Sequence, residues 1–421
     1  MANRQDSSFL RILPLYIVIF IGFVGYSLTI TILTPILLEG GGTLLSSLPF
    51  RVDPTIILGI VLAIYPIGQF VGAPVMGALS DRFGRKPVLL VSLTITTICF
   101  GGLGYAIQSN NLPLFMMVSL VMGLAEANIA TAQSAVADVT TAENRTRMFA
   151  YINLSASGAF VIGPLLGGVL ADPKLVPWFN NSTPYWGVFG LLILAVFFML
   201  IAFKETRPKE KRTEVSYREA FTNMLTIFEP GRLRIIYLVN FLIYFAIFGF
   251  FRAFPMYLVD HFGMGVTELA KYIAWNAVPV VIGSLWLTGY LARMHSVRTI
   301  TIYSTALLGL FCLLIIIPQS PYMLYLSLFL PGLALAVALP ASATMISLSA
   351  GADKQGRALG NNLSMEVGAE VLSGLGAGFL AAYLIQLPMF AICAIAILAA
   401  GILFFSNGGK IKSSDFETTG L

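Results

Sequence analysis

The sequence predicts an all-α membrane protein of twelve transmembrane helices in two pseudo-symmetric six-helix bundles. Composition is the first observation behind this. Of 421 residues, 57% are hydrophobic and 11% charged, against about 25% charged in an ordinary soluble domain. So few charges cannot cover a water-facing surface, which excludes a soluble globular enzyme, and so apolar a chain is not disordered. The second observation is a series of apolar runs near the ~20 residues that cross a bilayer. The third is an internal repeat at an offset of about 210 residues.

The spans follow in order at 12–38, 55–80, 87–107, 112–139, 147–171, 185–204, 233–259, 268–293, 298–318, 321–349, 358–385 and 387–406. The first run is too long for a signal-peptide core and lacks a small-residue cleavage pattern, so it is a span. Spans 2 and 3 flank a short basic loop, and Trp178, Phe179, Tyr185 and Trp186 form an interfacial belt at the outer end of span 6. The polar stretch Lys204–Arg234 separates spans 6 and 7. Its first part is expected to be a solvated linker, with contact to anionic lipid as the alternative. Helices satisfy their own backbone in lipid, and no ~10-residue alternation suggests a barrel. The expected domains are 1–203, a cytoplasmic linker 204–232, and 233–421 with a short cytoplasmic tail.

Lys and Arg fix the orientation. With the N-terminus inside, 21 of the 25 basic residues are internal: Arg4, Arg11, Arg82, Arg85, Lys86, Arg145, Arg147, those from Lys204 through Arg234, Arg293, Arg298, Lys354, Arg357, Lys410 and Lys412. Arg51, Lys174 and Lys271 lie on the outer side, and Arg252 lies within span 7. Both termini are therefore expected in the cytoplasm. The net charge of +5 is an orientation signal, and no nucleic-acid motif accompanies it. Three cysteines inside apolar runs and two histidines leave no basis for a disulfide framework, metal site or haem.

The repeat aligns Gly123-Leu-Ala125 with Gly332-Leu-Ala334, Ala142-Glu-Asn-Arg145 with Ala352-Asp353 and Arg357, Gly158 with Gly368, and Gly168 with Gly378. Gly77-Ala-Leu79 has a degenerate echo in Gly289-Tyr-Leu291. Duplicated halves imply a site at their interface near mid-membrane, with rocking as alternating access.

Between spans 2 and 3 stands Gly77-Ala-Leu-Ser-Asp81-Arg82-Phe-Gly84-Arg85-Lys86. Read physically, Gly77 lets another helix approach, Asp81 ends span 2, Gly84 makes a tight turn, and the basic trio meets the anionic leaflet. This stretch resembles the loop signature of the major facilitator superfamily. In span 5, Gly163-Pro164-Leu-Leu-Gly167-Gly168, with Gly158 upstream, resembles the motif of the drug:proton antiporters. Ala137-Asp138-Val-Thr-Thr-Ala-Glu-Asn-Arg145 resembles the loop between spans 4 and 5 of tetracycline-type efflux pumps. The resemblance implies the major facilitator fold, with spans 1, 4, 7 and 10 lining the cavity, and usually a monomer. It also implies an inner gate in which Asp81 caps span 11 near Leu359 and Gly360 or pairs with Arg85, which reaches Asp138. Three positions depart from the family pattern. Ala159 stands where a glycine is usual, Ser119 where span 4 usually carries an arginine, and span 1 has no acid around Phe23–Thr29.

Ionisable residues inside spans are costly and mark function. Glu126 lies near the middle of span 4, Glu366 and Glu370 lie in span 11, and Arg252 lies before Pro255 in span 7. These three acids are the candidate proton carriers. Asn362, Glu366, Glu370 and Ser373 form one helical stripe, and Ser119, Glu126 and Gln133 share a face of span 4. Two carboxylates one turn apart in low dielectric repel, so one is expected to hold a proton. The alternatives are a structural cluster for Glu366 and Glu370, an ion pair with Arg252 for Glu126, and snorkelling for Arg252. Candidate substrate contacts are Tyr26, Glu126, Asn128, Gln133, Asn153, Arg252, Trp275, Asn276, Asn362 and Glu370. Tyr244, Phe250 and Phe251 are further candidates for a pocket wall.

With no Walker loop and no catalytic triad, the expected function is proton-coupled secondary transport of a small organic solute, without a cofactor. Efflux of an amphipathic or polar compound by proton antiport leads. Import of a polar metabolite, siderophore or amino acid is the alternative, and a non-transporting sensor or scaffold is the rival class. The expected location is a bacterial inner membrane.

Overall fold

The computed structural model describes residues 2–39, 42–49, 51–125, 128–139, 142–207, 232–349 and 355–406. Helices α1 (Ala2–Leu38), α2 (Pro54–Phe83), α3 (Arg85–Gln108), α4 (Leu112–Ala125), α5 (Asn128–Val139), α6 (Ala142–Leu170) and α7 (Thr183–Ala202) come from the first half. The second half gives α8 (Arg232–Phe262), α9 (Val266–Met294), α10 (Val297–Leu313), α11 (Leu324–Ser349), α12 (Gln355–Tyr383) and α13 (Leu387–Phe405). Among the described residues, nine helical stretches are long and apolar enough to cross a membrane. Shorter apolar helices, Leu112–Ala125, Leu154–Leu170 and Val297–Leu313, stand at spans 4, 5 and 9.

Most of these helices are apolar on every side, which suits burial in lipid. On α3, Leu89, Leu93, Phe100 and Leu103 are buried, while Val91, Ile98 and Tyr105 form an exposed stripe at seven-residue spacing. Prolines stand inside α1, α2, α6, α8, α9 and α11. Spanning helices tolerate them because neighbours satisfy the freed carbonyls. One such adjustment is visible in α9. Past Pro279, Gly283–Leu287 winds as a π-helix, and the Thr288 hydroxyl donates to Gly283 O and Ala336 O, both at 3.1 Å.

The chain packs as two compact units, Met1–Thr222 with Gly263–Ala274, and Asn223–Phe262 with Trp275–Leu421. In the first, α1 packs on α6, α2 on α4, and α3 on α7. In the second, α8 packs on α12 and α10 on α13. Glycine explains one match of the repeat. A Cβ on Gly123 would lie 2.1 Å from Tyr65 O of α2, and one on Gly332 would lie 2.5 Å from Pro279 Cγ and 2.9 Å from Asn276 O of α9. The two positions make equivalent crossings, so each half needs a glycine there. Gly68 and Gly72 complete the first crossing against Leu120 and Leu124. Gly77 does not have the close-approach role expected of it, because a Cβ there meets open space.

Gly123→Val and Gly332→Val should therefore each destabilise the protein by about 1–3 kcal/mol or more, since backbone cannot yield to the added methyls. Gly77→Ala should be near neutral. Thermal unfolding of the three purified variants in detergent checks the contrast.

Candidate functional site

Two clusters of polar side chains stand out, one in each unit. The first sits where α2 turns into α3. Gly84 joins the helices with φ +99°, a conformation that side chains with a Cβ avoid. Its N–H still bonds Ser80 O at 3.1 Å. The turn points Arg85 inward, 5% exposed. Its Nη1 lies 3.0 Å from Asp81 Oδ1 and its Nε 3.2 Å from Asp138 Oδ2 on α5, and Nη1 also donates to Ser80 Oγ at 2.5 Å.

Asp81 pairs in addition with Arg207, just past α7. Glu205 accepts from the first free amides of α3, Arg85 N at 2.9 Å and Lys86 N at 3.2 Å. A carboxylate at that end satisfies orphan donors and opposes the helix dipole. Lys86 Nζ donates to Leu200 O of α7 at 2.8 Å. The sequence reading treats Lys204–Arg212 as a solvated linker, and this corrects its first residues: Glu205 and Arg207 fold back as part of the loop. An acid and a base directly after a span, beside a basic loop, were the available signal. Arg82 is exposed over Phe83, and the side chains of Arg145, Leu359 and Gly360 lie outside the described residues.

The span 5 motif seats α6 on α1. A Cβ on Gly163 would lie 2.0 Å from Ser27 Oγ, and one on Gly167 would lie 3.2 Å from Leu28 Cβ. Ser27 Oγ donates to Ala159 O at 3.2 Å, and Pro164 is buried within the helix. Gly168 meets Ala270 of α9, its O accepting from Thr267 Oγ1 at 3.3 Å. Gly158 makes only ordinary contact with Phe20.

The second cluster is a seam between α8 and α12. Asn240, Tyr244 and Arg252 share one face of α8, and Asn362, Glu366, Glu370 and Ser373 share one face of α12. Asn240 Nδ2 donates to Asn362 Oδ1 at 3.0 Å and to Ser342 O at 3.2 Å. Asn362 Nδ2 donates to Tyr244 Oη at 3.0 Å. Arg252 Nη2 donates to Glu370 Oε1 at 3.1 Å, and Ser373 Oγ donates to Glu370 O at 3.0 Å.

Arg252 is 1% exposed and Glu370 6%. Arg252 therefore does not snorkel, and it pairs with Glu370. The Asn362, Glu370 and Ser373 side chains are buried beside α8. Breaking one side of such a buried pair costs about 3–5 kcal/mol, because an uncompensated charge remains. Glu366, one turn away, is half-buried. Among the described residues no cation lies within ion-pair distance of it.

The other expected contacts are dispersed. Tyr26 packs on Tyr65 and Phe160. Trp275 Nε1 donates to Tyr325 O at 2.7 Å. Asn276 has no exposed surface, and its Nδ2 donates to Leu328 O at 2.9 Å, joining two helices. Glu126 and the side chains of Asn128, Gln133 and Asn153 lie outside the described residues. The first unit also has a polar cleft of about 600 Å³ bounded by Glu39, Gln108, Asn110, Asn181 and Gly265, which the sequence did not indicate. Partial burial, then the neighbouring Glu268, holds the Glu39 carboxyl above the usual range.

Profiles of the Major Facilitator Superfamily match residues 15–274 and 236–415. The chain belongs to this superfamily. Among its relatives, the class H tetracycline resistance protein of Pasteurella multocida is 33% identical over 179 residues, 40% of this chain and 41% of that protein. Multidrug resistance protein 1 of Bacillus subtilis is 24% identical over 303 residues, 69% of this chain and 70% of that protein. The chain thus spans about two fifths of the length of the class H tetracycline relative it matches. The human organic anion transporter MFSD10 superposes with a TM-score of 0.71 at 21% identity, covering 94% of this chain and 99% of that one. A D-xylose–proton symporter superposes at 0.74 with 13% identity, covering 94% and 98%. These likenesses establish the fold of this chain.

The burial of Arg85 and exposure of Arg82 separate their roles. Arg85→Met should cost about 1–3 kcal/mol through the acceptors it abandons, and Arg82→Met should stay within about 0.5 kcal/mol. Thermal unfolding of both variants in detergent tests the difference.

Proposed function

We propose that this transporter exports a small amphipathic or polar organic solute in exchange for protons. The observation that carries the reading is the Arg252–Glu370 pair at 3.1 Å with Glu366 one turn away, three ionisable groups inside helices that cross the membrane. Such groups persist in spans where they serve ion or solute movement. The tetracycline- and multidrug-resistance relatives support export, as does the Gly163-Pro164-Leu-Leu-Gly167-Gly168 motif seated on α1 and Ala270.

Asp81, Arg85 and Asp138 serve as the gate lock, with Glu205 and Arg207 added by the geometry. The bodies that alternate are residues 1–203 and 233–421, joined by 204–232. The site of action is a bacterial inner membrane, with both termini in the cytoplasm.

Proteoliposomes holding the full-length protein should accumulate tetracycline or ethidium when the lumen is acidic, and nigericin should abolish this. The Glu366→Gln/Glu370→Gln double variant should lose gradient-driven accumulation yet retain counterflow exchange, which needs no net proton movement. Full accumulation by that variant would remove α12 from the proton path. Separately, a cysteine at Thr213 should react with an impermeant maleimide only from the cytoplasmic side, and one at Lys174 only from outside. Reversed labelling would invert the topology.

A further inference from the structure

The two acids on α12 do not occupy equivalent places. Glu370 is buried against a guanidinium that keeps its charge at any physiological pH. Neutralising Glu370 would leave Arg252, itself 1% exposed, as a buried cation stripped of this counter-ion. Glu366 has partial access, no described cation within ion-pair distance, and a fixed negative charge one helical turn away. Tyr244, held by the Asn362 amide, is a titratable neighbour on α8. The other helices packed on α12 are α11 and α13, and neither carries a charged residue. Their titratable side chains are Tyr325 and Cys393.

We propose that Glu366 is the proton carrier of this seam and that Arg252 is a positioning residue, which holds Glu370 ionised so that one carboxyl titrates. This rests on the proton-coupled reading above and assigns its parts. Depth within span 11 by itself would favour Glu370 over Glu366. The ion pair reverses that preference, because the acid that must alternate between neutral and charged forms is the one with no cation at ion-pair distance among the described residues. In the cycle, the Glu366 carboxylate takes a proton as one face opens and loses it as the other opens. The Arg252–Glu370 pair stays intact throughout.

The test is infrared titration of the purified full-length protein in lipid nanodiscs, following the carbonyl stretch of protonated carboxylic acids between acidic and alkaline pH. Protons are the only ligand supplied. Glu366→Gln should remove one titrating band, and Glu370→Gln should leave it in place. Relative to the unaltered protein, Arg252→Met should add one titrating carboxyl, which disappears in Arg252→Met/Glu370→Gln, while Arg252→Lys should leave the titration unchanged. A merely structural arginine would change stability without changing the number of titrating groups. If Arg252→Met does not fold, the comparison of Glu366→Gln with Glu370→Gln decides the assignment by itself. Loss of the band in Glu370→Gln with retention in Glu366→Gln would overturn the proposal, as would an unchanged titration in folded Arg252→Met. Those results leave proton-coupled transport standing. That reading fails on the separate finding that nigericin does not affect accumulation.

Discussion

A bilayer interior offers no hydrogen-bonding partner, and the architecture of this protein follows from that constraint. Every backbone group in the spans must be satisfied by its own helix or a neighbour. Helices then gain little from hiding apolar surface, since lipid is equally apolar, so association depends on close fit and on the few polar groups. Both show here. Gly123 and Gly332 place α4 on α2 and α11 on α9 at distances no Cβ would permit. Trp275 and Asn276 spend their N–H groups on carbonyls of α11.

The same constraint sorts the charges. At the end of the first unit that carries the basic loop, Arg85 is buried but its partner Asp81 is half open to solvent, with its side chain 44% exposed. Solvent screens the Asp81 side of that pair more than it screens a fully enclosed one. The Glu205 carboxylate fixes the start of α3 beneath it, so the guanidinium is presented from a rigid helix end. Between α8 and α12 both partners are enclosed, and separating them costs several kcal/mol. One arrangement is partly open to solvent and the other is enclosed. The difference lies in solvent access, since both are Arg–carboxylate pairs of about 3 Å.

Much of this was legible in the residues. Composition and run length depend on transfer energies that act on each segment separately, so helical class and the places of most apolar helices could be read directly. The loop signature and the span 5 glycines were legible as a pattern. Its physics was partly misread: Gly77 meets open space, whereas Gly163 lies against Ser27 and Val24. Whether a glycine is needed depends on the helix opposite, and no local pattern names that helix.

The sequence by itself determined that this chain lives in a membrane as paired helical repeats and that α12 carries two acids one turn apart. Tertiary structure decided what those acids touch. Arg252 is 118 residues from Glu370, and Glu205 is 120 from Arg85. Both contacts exist because helices far apart in the chain pack side by side. A charge in low dielectric takes its character from its nearest counter-charge, and only packing sets which charge that is.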